Sequence, residues 1–284
     1  MLKKIDHILQ GREKKITDEE TVLQPLPHKD FRFANPFIVL HHGGPHYYKP
    51  GEQARINPHP HRGFSPYTFM LQGEGFHRDN AGNDKTVKAG GVQWMFAGKG
   101  ILHSEGPTKE LLQQGGVQEF IQLWINVPKA NKLGNPFYQS AERDMLPKVI
   151  EDDGVHFRLA SGTYNDQEGP IENFTPVISM IGEIAAGKEI TLKATPDYWT
   201  LLYVVHGKIN VNNETVDQHN LIVFNKEGED IVVSGIENAQ LLFLSAEPID
   251  EPVAAKDNFV MNTPEEIDQA ISDYKNGLFG SLSY

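Results

Sequence analysis

The residues best equipped for chemistry lie in Asn57-Pro-His59-Pro-His61-Arg-Gly-Phe64. On an extended chain, residues i and i+2 project from the same face, so the imidazoles of His59 and His61 aim at one point. A second stretch, Ala97-Gly-Lys-Gly-Ile-Leu-His103-Ser-Glu105, repeats that spacing with an imidazole and a carboxylate. If the two segments are neighbouring strands of a barrel, His59, His61, His103 and Glu105 converge on its interior. Burying three imidazoles and a carboxylate among apolar side chains is costly unless the charge is paired or coordinated, and a divalent cation satisfies all four groups together. A lone His-x-His is usually a surface or turn feature, whereas packing gives no reason to repeat the spacing in a second pair. Such a ligand set leaves a divalent ion one net positive charge and open positions for water, dioxygen or substrate. The chain has no cysteine, so thiolate sites, disulfides and cysteine nucleophiles are excluded, and Fe(II), Mn(II), Co(II), Ni(II), Cu(II) and Zn(II) all fit the donor set.

The elements around these residues read as mostly β. Frequent Gly and Pro divide the chain into short apolar runs, among them Phe37-Ile-Val-Leu40, Tyr67-Thr-Phe-Met-Leu71, Val92-Gln-Trp-Met-Phe96 and Phe120-Ile-Gln-Leu-Trp-Ile-Asn-Val127. A second set begins at Val177 and includes Leu201-Leu-Tyr-Val-Val205 and Leu241-Leu-Phe-Leu244. The halves echo each other: Thr68-Phe-Met-Leu-Gln-Gly73 is similar to Leu202-Tyr-Val-Val-His-Gly207, and Gly91–Phe96 to Asn220–Phe224. Duplication of one β-barrel module explains the echo. The expected organisation is an N-terminal metal-binding barrel over 1–135 and a second barrel over 136–284, with the turn-rich stretch after Pro128 between them. No His-x-His occurs in the second half, and Ile231-Val-Val-Ser234 stands where His103 and Glu105 stand in the first. One helix is legible. Thr263 is its N-cap, Pro264 its first residue and Glu266 its capping-box partner, and Ile267, Ala270, Ile271 and Tyr274 form an apolar stripe that stops at Gly277. That stripe is expected to pack back on the N-terminal module and join the halves into one compact body.

At the ligand-bearing residues the sequence resembles the pirin family of the cupin superfamily. The resemblance is carried by His59-Pro-His61-Arg-Gly-Phe64, His77-Arg-Asp79-Asn-Ala-Gly82, Gly91-Val-Gln-Trp-Met95, Ala97-Gly-Lys-Gly100, His103-Ser-Glu105, Gln122-Leu-Trp-Ile-Asn-Val-Pro128 and the closing Phe259-Val-Met-Asn-Thr263 segment. It implies a bicupin of the RmlC-like jelly-roll type, with one metal, usually iron, in the N-terminal barrel and none in the other. The family's three histidine ligands and one glutamate fall on His59, His61, His103 and Glu105. Fe(II) is therefore the first choice of metal. The sequence departs from the usual pattern at Ser65-Pro66, Gly91 and His41-His42, all expected near the mouth of the site.

Two functions follow from the resemblance. One is a quercetin 2,3-dioxygenase-like enzyme acting on a small aromatic, flavonol-like substrate and dioxygen with release of carbon monoxide. In that reading Glu105 takes the proton of the substrate's 3-hydroxyl, and Phe64, Phe69, Trp94 and Phe96 are either pocket walls or ordinary core. The other is a non-enzymatic regulator that contacts a protein partner. An isomerase or hydrolase is weaker, because no separate acid–base pair is visible. His77 is read as a strand-end histidine bonded to backbone, and Arg62 as paired with a carboxylate at the barrel rim. The formal net charge of −12 disfavours nucleic-acid and anionic-membrane partners. With no apolar run near the roughly 18 residues of a membrane span and no cleavage site, the expected protein is cytoplasmic, and a monomer.

Overall fold

The computed structural model describes residues 1–17 and 20–282. They are mostly β-strand, and the chain divides into two compact units. The first comprises residues 14–22, 37–143 and 249–284, and the second residues 1–13, 23–36 and 144–248. Relative to a single cut after residue 135, both termini are exchanged. The N-terminal strand Ile5–Gln10 pairs antiparallel with Asn220–Phe224 and buries Leu9 there, while the chain after Ile249 returns to the first unit.

In the first unit the larger sheet contains, in spatial order, Phe137–Ala141, Val92–Phe96, Phe64–Gln72, Gly116–Asn126 and Phe37–Tyr48. The smaller sheet runs Ile56–His61, Ile101–Pro107, Glu74–Asp79 and Asp84–Lys88. The second unit repeats this layout. Its order Asn220–Phe224, Trp199–His206, Ala239–Ala246, Val177–Ile184 matches the larger sheet, and Glu189–Lys193, Asp230–Gly235, Lys208–Val211, Glu214–Asp217 matches the smaller. The sequence echo thus aligns topologically equivalent strands.

The interiors differ. In the second unit, Leu192, Ile231 and Val233, from the two strands equivalent to those bearing the histidines, join an apolar cluster with Phe157, Leu202, Phe224 and Phe243. These apolar side chains offer a metal no ligand atom. Phe64, Phe69, Trp94 and Phe96 of the first unit are each at most 1% exposed.

The C-terminal helix spans Pro264–Lys275, with the Thr263–Glu266 capping box formed and Pro264 in the first turn. It buries Ile267 and Ala270 against Leu102, Phe259, Met261 and Phe279, whereas Tyr274 is exposed. Arg62 ties the histidine-bearing strand to this helix. Its Nε donates to the Lys99 carbonyl and Nη1 to Asp273 Oδ2, both at 2.7 Å, and its guanidinium lies over the Phe279 ring at 4.6 Å. The pairing reading of Arg62 holds. The next residue, Gly63, has φ of +83°, and a Cβ there would lie 2.2 Å from the Val260 carbonyl oxygen, so only glycine fits the close approach of the Phe259–Met261 strand. Lys132 is also buried, its Nζ donating to the carbonyls of Gly63 at 2.7 Å and Val260 at 3.0 Å and to Asn126 Oδ1. Burial pushes its ammonium down to about 7. Arg62→Ala leaves Asp273 without its largely buried partner and is expected to cost about 3 kcal/mol in urea unfolding. A loss below about 1 kcal/mol, the scale of an exposed pair, would place the helix's anchorage elsewhere.

Candidate metal centre

Strand register brings the histidines together. Ile56–His61 and Ile101–Pro107 run antiparallel with His103 opposite His59 and Ile101 opposite His61, so the i, i+2 pair and its cross-strand neighbour share one interior face. Among the described residues, the ligand atoms of His59, His61 and His103 all lie within 4.8 Å of one another. Their ring centroids are 4.9 Å apart for His59–His61, 4.3 Å for His59–His103 and 4.8 Å for His61–His103.

Each ring is held by its Nδ1. The Asn57 carbonyl lies 2.9 Å from His59 Nδ1, the Asn258 carbonyl 3.2 Å from His61 Nδ1, and His77 Nδ1 3.4 Å from His103 Nδ1. A carbonyl can only accept, so His59 and His61 each donate from Nδ1, which leaves Nε2 as the ring atom available to a metal. His103 Nε2 is buried without any hydrogen-bond partner. His61 and His103 are at most 2% exposed, while His59 is half-buried. Burial, then repulsion from His59, lowers the two buried imidazoles well below the ordinary histidine range, so both are neutral at pH 7. Three imidazoles with converging ligand atoms, two of them neutral and one with an orphaned Nε2 in the interior, suit a divalent cation and leave ligand positions open.

Among the described residues Glu105 is not in the three-histidine group. A register shift between His103 and Glu105 places Glu105 opposite Ile56, and its carboxylate accepts from Gln122 Nε2 at 3.0 and 3.2 Å. The amide is oriented in turn by Trp124 Nε1, which donates to Gln122 Oε1 at 3.3 Å. Trp124 also packs on His61 and Phe64 with centroid separations of 5.5 and 4.4 Å. Glu105 lines a cavity of about 370 Å³ together with Thr68, Gln93, Met70, Phe76 and Phe120, a volume in the range of small-molecule pockets. Neither Phe64, Phe69, Trp94 nor Phe96 lines it, so these rings act as core. The apolar walls come instead from residues whose strands also supply polar side chains to the same space.

Charge in the cavity is unbalanced toward carboxylates, with Glu20, Glu52 and Glu105 against Arg55. Burial, with the Glu105 charge second, pushes the Glu20 carboxyl up to about 7. Folded protein then holds a proton that the unfolded chain releases in its ordinary carboxyl range, so this group costs stability as pH rises through that interval. Glu20→Gln is expected to become more stable relative to the parent between about pH 5 and 8, read from thermal midpoints. A difference that does not change with pH would contradict the assignment.

Two buried residues escape a reading by ligand type alone. His77 and Asp79 lie on Glu74–Asp79, where Asp79 pairs with His103 and His77 with Glu105 across the strands. His77 Nε2 is 2.9 Å from Asp79 Oδ2, and His77 is 1% exposed, so it is an interior residue bonded to side chains rather than a strand-end histidine bonded to backbone. The signal was its spacing, a third i, i+2 pair. His42, expected near the mouth, is instead buried against Glu119 with 2.9 Å between Nε2 and Oε1, and Gln72 Nε2 donates to the other Glu119 oxygen at 2.7 Å. In the second unit, His206 ends a strand and His219 sits in a turn with φ of +64°.

Two barrels of one topology, one polar within and one filled with hydrocarbon, define a bicupin. The comparisons agree. Residues 17–125 match the family profile described as Pirin, and residues 180–280 that of the pirin C-terminal cupin domain. The chain is 34% identical to Pirin-1 of Arabidopsis thaliana over 259 residues, covering 88% of this chain and 85% of that one. It is 39% identical to a pirin-like protein of Caulobacter vibrioides over 224 residues, covering 78% and 79%. The crystal structure of quercetin 2,3-dioxygenase from Acinetobacter baumannii superposes with a TM-score of 0.94 at 33% identity and covers 100% of both chains. The chain belongs to the pirin family.

Proposed function

We propose that this protein is a metal-dependent dioxygenase of the quercetin 2,3-dioxygenase type. In this reading His59, His61 and His103 bind one divalent ion, Fe(II) first among the candidates through the family resemblance, and Glu105 is their fourth ligand and the catalytic base. The observation that carries it is the position of Glu105, which shares a strand with His103 and, unlike the three histidines, lines the cavity. His59, His61 and His103 would hold the ion, which when bound would supply Lewis acidity toward an enol oxygen.

The chain's own residues do the rest. Glu105 accepts the proton of the flavonol 3-hydroxyl, and the Gln122 amide, fixed by Trp124, keeps the receiving oxygens in place. Met70, Phe76 and Phe120 exclude water from the ring system. Thr68, Gln93 and the cavity carboxylates accept from the phenolic hydroxyls, and their excess negative charge disfavours anionic substrates. The match to a quercetin 2,3-dioxygenase along the full chain supports the substrate class. An oxygen electrode with the metal-loaded protein and a panel of flavonols tests the reading, which expects flavonol-dependent oxygen uptake with stoichiometric carbon monoxide. If the loaded protein consumes no oxygen with any flavonol, the enzyme reading falls and a regulatory role with a protein partner takes its place.

A further inference from the structure

His59 and His61 are oriented by main-chain carbonyls, which no side-chain substitution removes. His103 alone of the three is oriented by another side chain. His77 Nδ1 lies 3.4 Å from His103 Nδ1, long for an N–H···N bond, and the next link, His77 Nε2 to Asp79 Oδ2, is 2.9 Å. Asp79 is 3% exposed and accepts from the main-chain N–H groups of Ala81 and Asn83, each at 3.0 Å, and from Asn83 Nδ2 at 2.8 and 3.1 Å. The His77 ring is stacked on Tyr138 with centroids 4.6 Å apart and planes 23° apart.

Proton positions follow from the end of this chain. The partners of the Asp79 side chain, His77 Nε2, the main-chain N–H groups of Ala81 and Asn83 and Asn83 Nδ2, are all nitrogens, so the carboxylate acts as acceptor and His77 donates from Nε2. In that tautomer His77 presents a lone pair at Nδ1, and His103 donates to it from its own Nδ1. That leaves the His103 Nε2 lone pair bare in the interior, which is the atom found without a partner. With His77 reversed, donating from Nδ1, the Asp79 oxygen would face a second lone pair at 2.9 Å, a repulsive arrangement in a buried site.

We propose that His77 and Asp79 form a buried two-residue support that fixes the tautomer and ring plane of His103, making His77 a positioning residue for the metal centre. The inference rests on the three-histidine reading and deepens it: one of the ligands has a side-chain anchor, so metal affinity at this site is set partly from the Glu74–Asp79 strand. Outer partners of ligating histidines typically control ten- to hundredfold in metal affinity.

The test uses the full chain stripped of metal, with Co(II) as the probe. His77→Phe keeps a flat ring on Tyr138 and removes the acceptor. Co(II) affinity by calorimetry is expected to fall ten- to hundredfold, with a shifted d–d absorption spectrum. His77→Gln, whose carbonyl oxygen can take the His103 proton, recovers part of the affinity. Asn83→Ala removes support from Asp79 while leaving His77 in place, so it lowers thermal stability with a smaller change in Co(II) affinity. Co(II) binding by His77→Phe with parental affinity and spectrum would overturn the proposal, as would affinity losses that merely track stability across the three variants. Should the parent itself bind no Co(II), the three-histidine reading falls and this inference with it; parental binding with an indifferent His77→Phe removes only the support.

Discussion

His59→Ala abolishes stoichiometric binding of a divalent metal, lowering affinity by more than the roughly hundredfold that outer partners of a ligand control. Of the three histidines it gives the cleanest test. His61 and His103 are buried, so their truncation opens a cavity and risks the fold, whereas His59 is half-buried and its loss removes less packing. The second barrel has its own apolar cluster and should remain folded, as far-UV circular dichroism and the cooperativity of unfolding would show. Inductively coupled plasma analysis of parent and variant after identical metal loading reads the result. Equal occupancy in both would mean that the ion is held elsewhere.

The second large effect falls on Glu105. Glu105→Gln preserves shape and can still accept from Gln122 through its own amide oxygen, but it can no longer take a proton. Flavonol turnover is expected to fall by about 10²- to 10⁴-fold, the usual contribution of a positioned general base, which is about 3 to 5 kcal/mol of barrier. The KM for substrate should change little, because the cavity walls are untouched. Metal content separates the two roles open to this carboxylate. If Glu105 acts mainly as base, the variant keeps its metal on the three histidines and loses rate alone; if it is a ligand first, occupancy falls with the rate. Unchanged turnover in a fully loaded variant would remove Glu105 from the chemistry.

Much of this was legible in the chain because strand periodicity is short and local. The spacing of His59 and His61 requires only an extended backbone, and the capping box at Thr263 and Glu266 is complete within four residues. The echo between the halves marked equivalent strands because buried β-runs preserve pattern after duplication. What the spacing could not deliver was long-range register. The shift between His103 and Glu105 arises in pairing with the Ile56–His61 strand, and the partner that then holds Glu105, Gln122, is contributed by the other sheet. The same limit hid the cavity walls. Phe64 and Met70 lie on one strand with side chains on one parity, yet Met70 lines the cavity and Phe64 does not, a distinction set by curvature and neighbours rather than by alternation. His77-Arg-Asp79 was visible as a third i, i+2 pair, but nothing local says that its strand lies beside the one that carries His103.

Anomalous diffraction from crystals of the protein loaded with a single divalent transition metal tests the central claim most directly. One strong peak is expected in the first barrel, about 2.1 Å from the Nε2 atoms of His59, His61 and His103, and none among the apolar side chains of the second. A peak at any other position, ligation through Nδ1, or no peak under saturating metal would contradict it.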